Sequence, residues 1–238
     1  MAFSGLNAMP AAPAKVLDVG CGIGGTSRFL AAKLGSKSEV TGITLSPQQV
    51  KRATALAAER GLDNTKFQVM DALKMDFPDN SFDMVWACES GEHMPDKKAY
   101  VEEMSRVLKP GGLIVIATWC QRDDKPPNNA FSPSEVKRLN YLYGEWTHPH
   151  FISIEEYGRL MEGTGVLEKV HTEDWNDRTI ASWRHSIWMG VWDPWPVVRR
   201  PWTWYKTVRD GICLERFHRS FEDKLMGYGM FRAQKKAL

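Results

Sequence analysis

Net charge and paired cysteines are both scarce in this chain. Its 238 residues hold 31 Lys+Arg against 29 Asp+Glu, a formal balance of +2. That excludes the strongly basic character of a nucleic-acid-binding domain, and no nucleic-acid partner is expected. The four cysteines, Cys21, Cys88, Cys120 and Cys213, show no CxxC spacing. Each falls where a strand or helix is expected, so reduced thiols are predicted rather than a zinc site or a disulfide frame. No apolar run approaches the roughly 18 residues that cross a bilayer. Residues 1–14 are too short and too poor in Arg for a signal or transit peptide. Internal repeats and low-complexity tracts are absent, which leaves one α/β domain over residues 1–238 with a distinctive C-terminal third.

One further absence is diagnostic. Residues 15–25 read as a buried strand, Val16–Val19, running into a turn with Gly20, Gly22, Gly24 and Gly25, and then a helix. Backbone N–H groups at such a helix start would face a ligand. The spacing Gly20-x-Gly22-x-x-Gly25 also satisfies the dinucleotide fingerprint, but the acidic residue that a nicotinamide site needs roughly 20 residues on is missing. Thr44 stands there instead, and Asp18, two residues before the first glycine, can fix the turn and hold an amino group. A nucleoside that lacks a pyrophosphate and carries an amino acid fits this pattern: S-adenosylmethionine.

Strands are predicted at 15–19, 39–43, 66–70, 82–87, 113–118 and about 166–173. Helices are predicted at 24–34, 47–60, 97–108, 133–144, 153–162, 179–190 and 203–224. Ser46 caps the second helix ahead of Pro47, and Gly61 closes it. Lys109–Gly112 is expected to be a turn. An apolar segment at 227–233 is placed antiparallel at the sheet edge. The fold class is a Rossmann-like, mostly parallel seven-stranded sheet with helices on both faces and an antiparallel edge strand. Residues 14–120 form its cofactor-binding core, and 121–238 supply substrate-side helices and closing strands.

Seven tryptophans crowd the stretch after residue 174: Trp175, Trp183, Trp188, Trp192, Trp195, Trp202 and Trp204. Arg184, Arg199, Arg200, Lys206 and Arg209 are interleaved with them. Two readings stay open, an aromatic core capping a substrate pocket and a surface at a membrane interface. The pair His148 and His150, split by Pro149, is expected to be loop structure rather than a metal site. Lys97 and Lys98 read as a solvated helix start, and Cys120 as apolar filler.

The stretches Val16–Gly25, Gly42–Gln49, Phe82–Asp96 and Arg106–Gly112 running to Ala117–Cys120 resemble the tocopherol C-methyltransferases and the related methyltransferases of plastoquinone and tocopherol synthesis. The first and fourth blocks are common to many class I methyltransferases. The block Glu89–Pro95 is far more specific, and Gly42–Gln49 also resembles the corresponding turn of cyclopropane fatty-acid synthases. Similarity runs on more weakly through Ile152–Trp175 to Phe231. The family's N-terminal cover is expected to be missing, since only fourteen residues precede the first strand. The resemblance implies methylation of the ring of a prenylated quinol or tocopherol, with peripheral membrane contact. It implies a plastid setting in a photosynthetic eukaryote, and a cytoplasmic or thylakoid-associated one otherwise. Two alternatives are an N-methyltransferase for alkaloids or small amines, and a non-catalytic, membrane-associated cofactor-binding protein. Oligomeric state is left open.

Position by position, Asp18, Gly20, Cys21 and Gly22 are expected at the methionine end of the cofactor, and Gly24 among the residues of its binding turn. Thr44, the Leu45 backbone and Gln49 are candidates for its ribose, with a merely solvated helix start as the plainer alternative for Gln49. Asp71 and Ala72 are candidates for its adenine, or Asp71 is a helix cap. Cys88 begins the loop that should face the transferable methyl. Glu89, Glu92 and His93 are candidate bases for removing a phenol proton, with Glu92 and His93 ahead, although proximity alone can drive methyl transfer.

Overall fold

Val16–Val19 and Val40–Ile43 are rich in apolar and β-branched residues, as strands covered on both faces require. In the computed structural model they are adjacent interior strands of a seven-stranded sheet. The structure describes residues 9–125, 130–145, 148–192, 198 and 204–237, without the side chains of residues 184, 186–192 and 204. The first half of the chain runs β1 (Lys15–Val19), α1 (Gly25–Leu34), β2 (Glu39–Thr44), α2 (Pro47–Ala58), β3 (Thr65–Val69) and β4 (Phe82–Cys88). A short 3-10 turn, Gly91–His93, leads to α3 (Lys97–Val107) and β5 (Leu108–Gln121). Then come α4 (Pro133–Glu145), α5 (Ile154–Gly163), β6 (Leu167–Asp174), α6 (Asn176–Trp192), α7 (Trp204–Glu222) and β7 (Met226–Lys235).

The sheet order is β3-β2-β1-β4-β5-β7-β6. Strand β1 pairs in parallel with β2 on one side and β4 on the other, with Asp18 opposite Gly42 and Trp86. The chain therefore leaves β1 in one direction and returns to its far side, which opens a crevice at the carboxyl ends of β1 and β4. Val16, Leu17, Val40, Ile43, Met84, Val85, Ile114 and Val115 are wholly buried around it. The Ser46 cap is present, its hydroxyl accepting from Gln49 N at 3.3 Å, and Gly61 closes the α2 end with φ +63°.

Two expectations change. Lys109–Gly112 is not a turn ahead of a strand: β5 already starts at Leu108, which pairs with Phe82. Met84 pairs next with Leu113, so residues 109–112 form a bulge that absorbs Pro110 and Gly111 inside the pairing. The last strand, expected at the edge, lies between β5 and β6, leaving β6 outermost. Its burial explains the position, since Met230, Phe231, Arg232 and Ala233 are all buried and a solvated edge could not cover both faces.

The chain divides into two compact units. The first holds everything up to Thr118, together with Glu155–Glu173 and the stretch from Met230; the second holds Trp119–Ile154 and Asp174–Gly229. In the second, Trp183 stacks on Phe217 with ring centroids 5.8 Å apart and meets Trp119 at 5.1 Å. Trp183 is therefore core, not surface. Trp195 and Trp202, with the side chains of Trp188, Trp192 and Trp204, lie outside the described residues. His148 packs between Trp119 and Phe151, and His150 against Tyr143, in an irregular segment. No cluster of metal-ligating side chains is found among the described residues. Likewise, none of the described helices is long and apolar enough to cross a membrane.

Candidate active site

Within the first unit, the carboxyl edge of the sheet holds a cavity of about 390 Å³. Its floor is the glycine turn. Gly20 and Gly22 both adopt positive φ, +80° and +55°, which L side chains rarely accept. The turn is pinned from below, because Gly20 N and Cys21 N both donate to Ile43 O, at 3.0 and 2.9 Å. A Cβ on Gly20 would lie 2.3 Å from Ser90 Cβ, so that position needs glycine for close approach as well. Ser90 in turn donates to Val19 O at 2.8 Å and shares a 2.8 Å hydrogen bond with Tyr100. The loop after β4 is thereby laced to the end of β1.

The expected cofactor residues divide between wall and support. Gly20, Gly22, Thr44, Leu45, Gln49, Asp71 and Ala72 line the cavity. Asp18, Cys21, Gly24 and Cys88 are not part of its lining. Asp18 is buried beneath the turn and accepts from Ser27 Oγ at 2.5 Å. Burial pushes its carboxyl up to about 6, against the Ser27 hydrogen bonds that lower it. Cys21 points towards β2, where its Sγ would stand 2.9 Å from a Cβ on Gly42, and burial raises its thiol to about 12. A thiol held so far from ionisation is no nucleophile. Gly24 is walled off by Phe67, and Cys88 ends β4 half-buried.

The polar groups on the wall are already arranged. Thr44 Oγ1 donates to Gln49 Oε1 at 2.6 Å, which leaves the Gln49 amide NH2 as donor for a ligand hydroxyl. Asp71 Oδ1 accepts from Leu73 N at 2.9 Å, an Asx turn that fixes the carboxylate at the cavity rim. No helix follows before β4, so Asp71 caps none, and its carboxylate stands among the cavity's lining.

The three candidate bases separate. Glu89 lines the cavity with φ +50°, an uncommon conformation for a residue with a Cβ, held by a 2.8 Å hydrogen bond from its N–H to Ala117 O. His93 also lines it, and burial, followed by the nearby Lys97 charge, lowers its pKa. Successive residues of a 3-10 turn point about 120° apart, so Glu92 faces elsewhere. Its carboxylate is buried against β5, accepting from Thr118 Oγ1 at 2.7 Å. Burial raises Glu92 to about 7, more than the Thr118 hydrogen bond lowers it. Gly91 makes this fit tight: an added Cβ would lie 2.9 Å from both Thr118 Oγ1 and Tyr157 Oη.

Lys97 corrects the solvated-start reading. It is buried, and its ammonium donates to Glu92 O at 3.2 Å and Met94 O at 2.5 Å, while Lys98 is the exposed one, 3.4 Å from Glu102. Sequence reasoning missed Lys97, Ser90, Tyr100 and Ser27 as parts of the site. Ser90 at least sat inside the distinctive Glu89–Pro95 block. Lys97→Met should cost about 1–3 kcal/mol by urea denaturation, because two carbonyls lose a charged donor. Lys98→Met should stay within about 0.5 kcal/mol. Equal effects would mean that the ammonium does not anchor the loop.

Residues 12–165 match the methyltransferase domain family. The 2-methyl-6-phytyl-1,4-hydroquinone methyltransferase of Synechocystis sp. is 44% identical, over 98% of this chain and 72% of its own length. The chloroplastic tocopherol O-methyltransferase of Arabidopsis thaliana is 37% identical over 93% of this chain and 63% of its own length. Among solved structures, Haemonchus contortus phosphoethanolamine N-methyltransferase 2 in complex with S-adenosyl-L-methionine superposes with a TM-score of 0.81. That alignment covers 97% of this chain and 50% of the other at 20% identity, a likeness of fold alone.

Proposed function

The chain belongs to the methyltransferase family that contains the phytyl-hydroquinone and tocopherol enzymes, and from that footing we propose that it methylates a ring carbon of a prenylated quinol. The observation that carries this reading is the 44% identity to a phytyl-hydroquinone methyltransferase across 98% of the chain. S-adenosylmethionine, when bound, supplies an electrophilic methyl on a sulfonium. The residues present suit it: a glycine turn, a buried carboxylate beneath, and a wall that includes Thr44, Gln49 and Asp71.

In this reading Gly20 and Gly22 let the backbone approach the methionine end, while the Asp18 carboxylate attracts its ammonium from below. The Gln49 amide and the Asp71 carboxylate select ribose and adenine. Ring methylation needs a phenolate, because charge delivered to the ring carbon makes that carbon the nucleophile. His93, which lines the cavity, or Glu92, whose carboxyl is raised towards neutrality behind the same turn, takes the phenol proton. Glu89 borders the cavity. An acceptor of this class resides in a bilayer, so peripheral contact with a membrane, in a plastid for a plant protein, belongs to the same proposal.

Incubation with labelled S-adenosylmethionine and a panel of γ-tocopherol, methylated prenylbenzoquinols and amines tests it. The expected product carries a new ring methyl and still oxidises to a quinone or tocopherylquinone, as a phenol ether would not. Methyl transfer confined to oxygen or nitrogen would overturn the proposal. Cofactor binding without turnover on any acceptor would point to a non-catalytic protein.

A further inference from the structure

A larger cavity, about 570 Å³, lies within the second unit between α4 and α7. Ser134, Lys137, Arg138 and Tyr141 on α4 fall at i, i+3, i+4 and i+7, one helical face. Arg216 and Arg219 on α7, with Asp223 just beyond it, repeat the pattern opposite. Four cations and one carboxylate therefore line a single groove. Arg138 is committed to the scaffold, 2.8 Å from Asp223 and donating to Ser220 Oγ at 3.2 Å. Arg219 leans on Glu215 at 2.8 Å. Arg216 is held differently, its guanidinium lying 4.1 Å over the Tyr141 ring. Such stacking fixes the plane of the fork without occupying its donors, and Lys137 lines the same groove.

The face of α7 that carries Arg216 and Arg219 continues towards the helix start through Ile212, Val208 and Tyr205. These three are exposed at 49%, 60% and 81%. The steps from Tyr205 to Asp223 are three or four residues each, so ridge and groove form one stripe along the helix. A solvated helix has no use for an apolar stripe that ends in a basic groove. A helix lying on a bilayer does, with apolar side chains in the acyl boundary and cations at headgroup level.

We propose that the α4–α7 groove binds the phosphate of an anionic lipid headgroup, Arg216 and Lys137 holding the phosphate while Tyr205, Val208 and Ile212 enter the bilayer. This deepens the peripheral membrane contact of the proposed function by naming its site and ligand, and it is argued from the geometry of the second unit alone. The test is flotation of the full chain with vesicles of phosphatidylglycerol in phosphatidylcholine, against phosphatidylcholine alone. Retention is expected on the anionic vesicles, weakening as salt rises, and falling about tenfold or more in Lys137→Gln/Arg216→Gln. Val208→Ser/Ile212→Ser should also release the protein. Circular dichroism checks the fold. Should the Arg216 variant unfold, Lys137→Gln/Arg219→Gln, on two exposed side chains, decides by the same loss. Methyl transfer in detergent micelles, measured alongside, is expected to be unchanged in every variant. Equal retention on both vesicle types, or variants that float like the parent, would overturn the proposal. So would thermal protection by inorganic phosphate with no vesicle retention, which would make the groove a site for a soluble anion.

Discussion

Replacing Gly22 by valine should abolish S-adenosylmethionine binding while leaving the fold in place. Gly22 sits at φ +55° in the cavity lining, and an added Cβ there would meet nothing within 4 Å. The fold therefore has room for the side chain and loses only the cost of a left-handed L-residue, about 1–2 kcal/mol. The ligand has no such room. An isopropyl group would stand where the backbone must be approached, and affinity by calorimetry should fall by about 100-fold or more, a loss of roughly 3 kcal/mol. Gly20→Ala is the contrasting variant. Its Cβ would lie 2.3 Å from Ser90 Cβ on a backbone at φ +80°, so it should lower the melting temperature and the affinity together. Parent-like affinity in Gly22→Val would displace the cofactor from this turn.

The half of the site that could be read in advance is the local half. Glycines, the strand before them and the helix after them lie within one short stretch, and the absent carboxylate at Thr44 is a matter of counting. Lys97 could not be read in the same way. A lysine at a helix start is ordinarily solvated, and only the fold of the Glu89–Pro95 loop around its ammonium, carbonyls inward, makes it buried. Glu92 and His93 are neighbours in sequence yet serve opposite sides of the 3-10 turn, a division that depends on Gly91 pressing against Thr118 and Tyr157. Strand order is longer-range still. The apolar pattern of Met226–Lys235 announces a strand, but its place between β5 and β6 is set by pairing partners far away in the chain. The two units are discontinuous for the same reason, since residues 155–173 and 230–238 return to the first. At Trp183 the aromatic run is core, because Phe217 and Phe221 close on it from α7.

Glu92→Gln should separate the proton from the packing. The amide keeps an oxygen for Thr118 Oγ1 and nearly the same volume, so the loop should stay seated. What changes is charge. Burial lifts the Glu92 carboxyl from 4.5 to about 7, so the folded chain holds this proton more tightly than the unfolded chain does. Its contribution to stability is therefore complete below about pH 4.5 and is lost as pH rises to about 7, on the order of 3 kcal/mol for a group so buried. Asp18, lifted from 3.8 to about 6, acts in the same sense in a lower window. The Glu92→Gln protein should thus be more stable than the parent at pH 8, and the two should converge towards pH 4.5. Turnover should move the other way. A base must be ionised to accept the phenol proton, so the parent's kcat should climb as pH passes about 7, and Glu92→Gln should lose roughly 10²-fold and that limb of the profile. His93→Asn, which removes an imidazole whose pKa burial and then Lys97 lower, should retain the limb if His93 only borders the cofactor. A Glu92→Gln protein that gains stability at pH 8 yet keeps the parent's rate profile would leave Glu92 a packing residue, with methyl transfer driven by proximity alone.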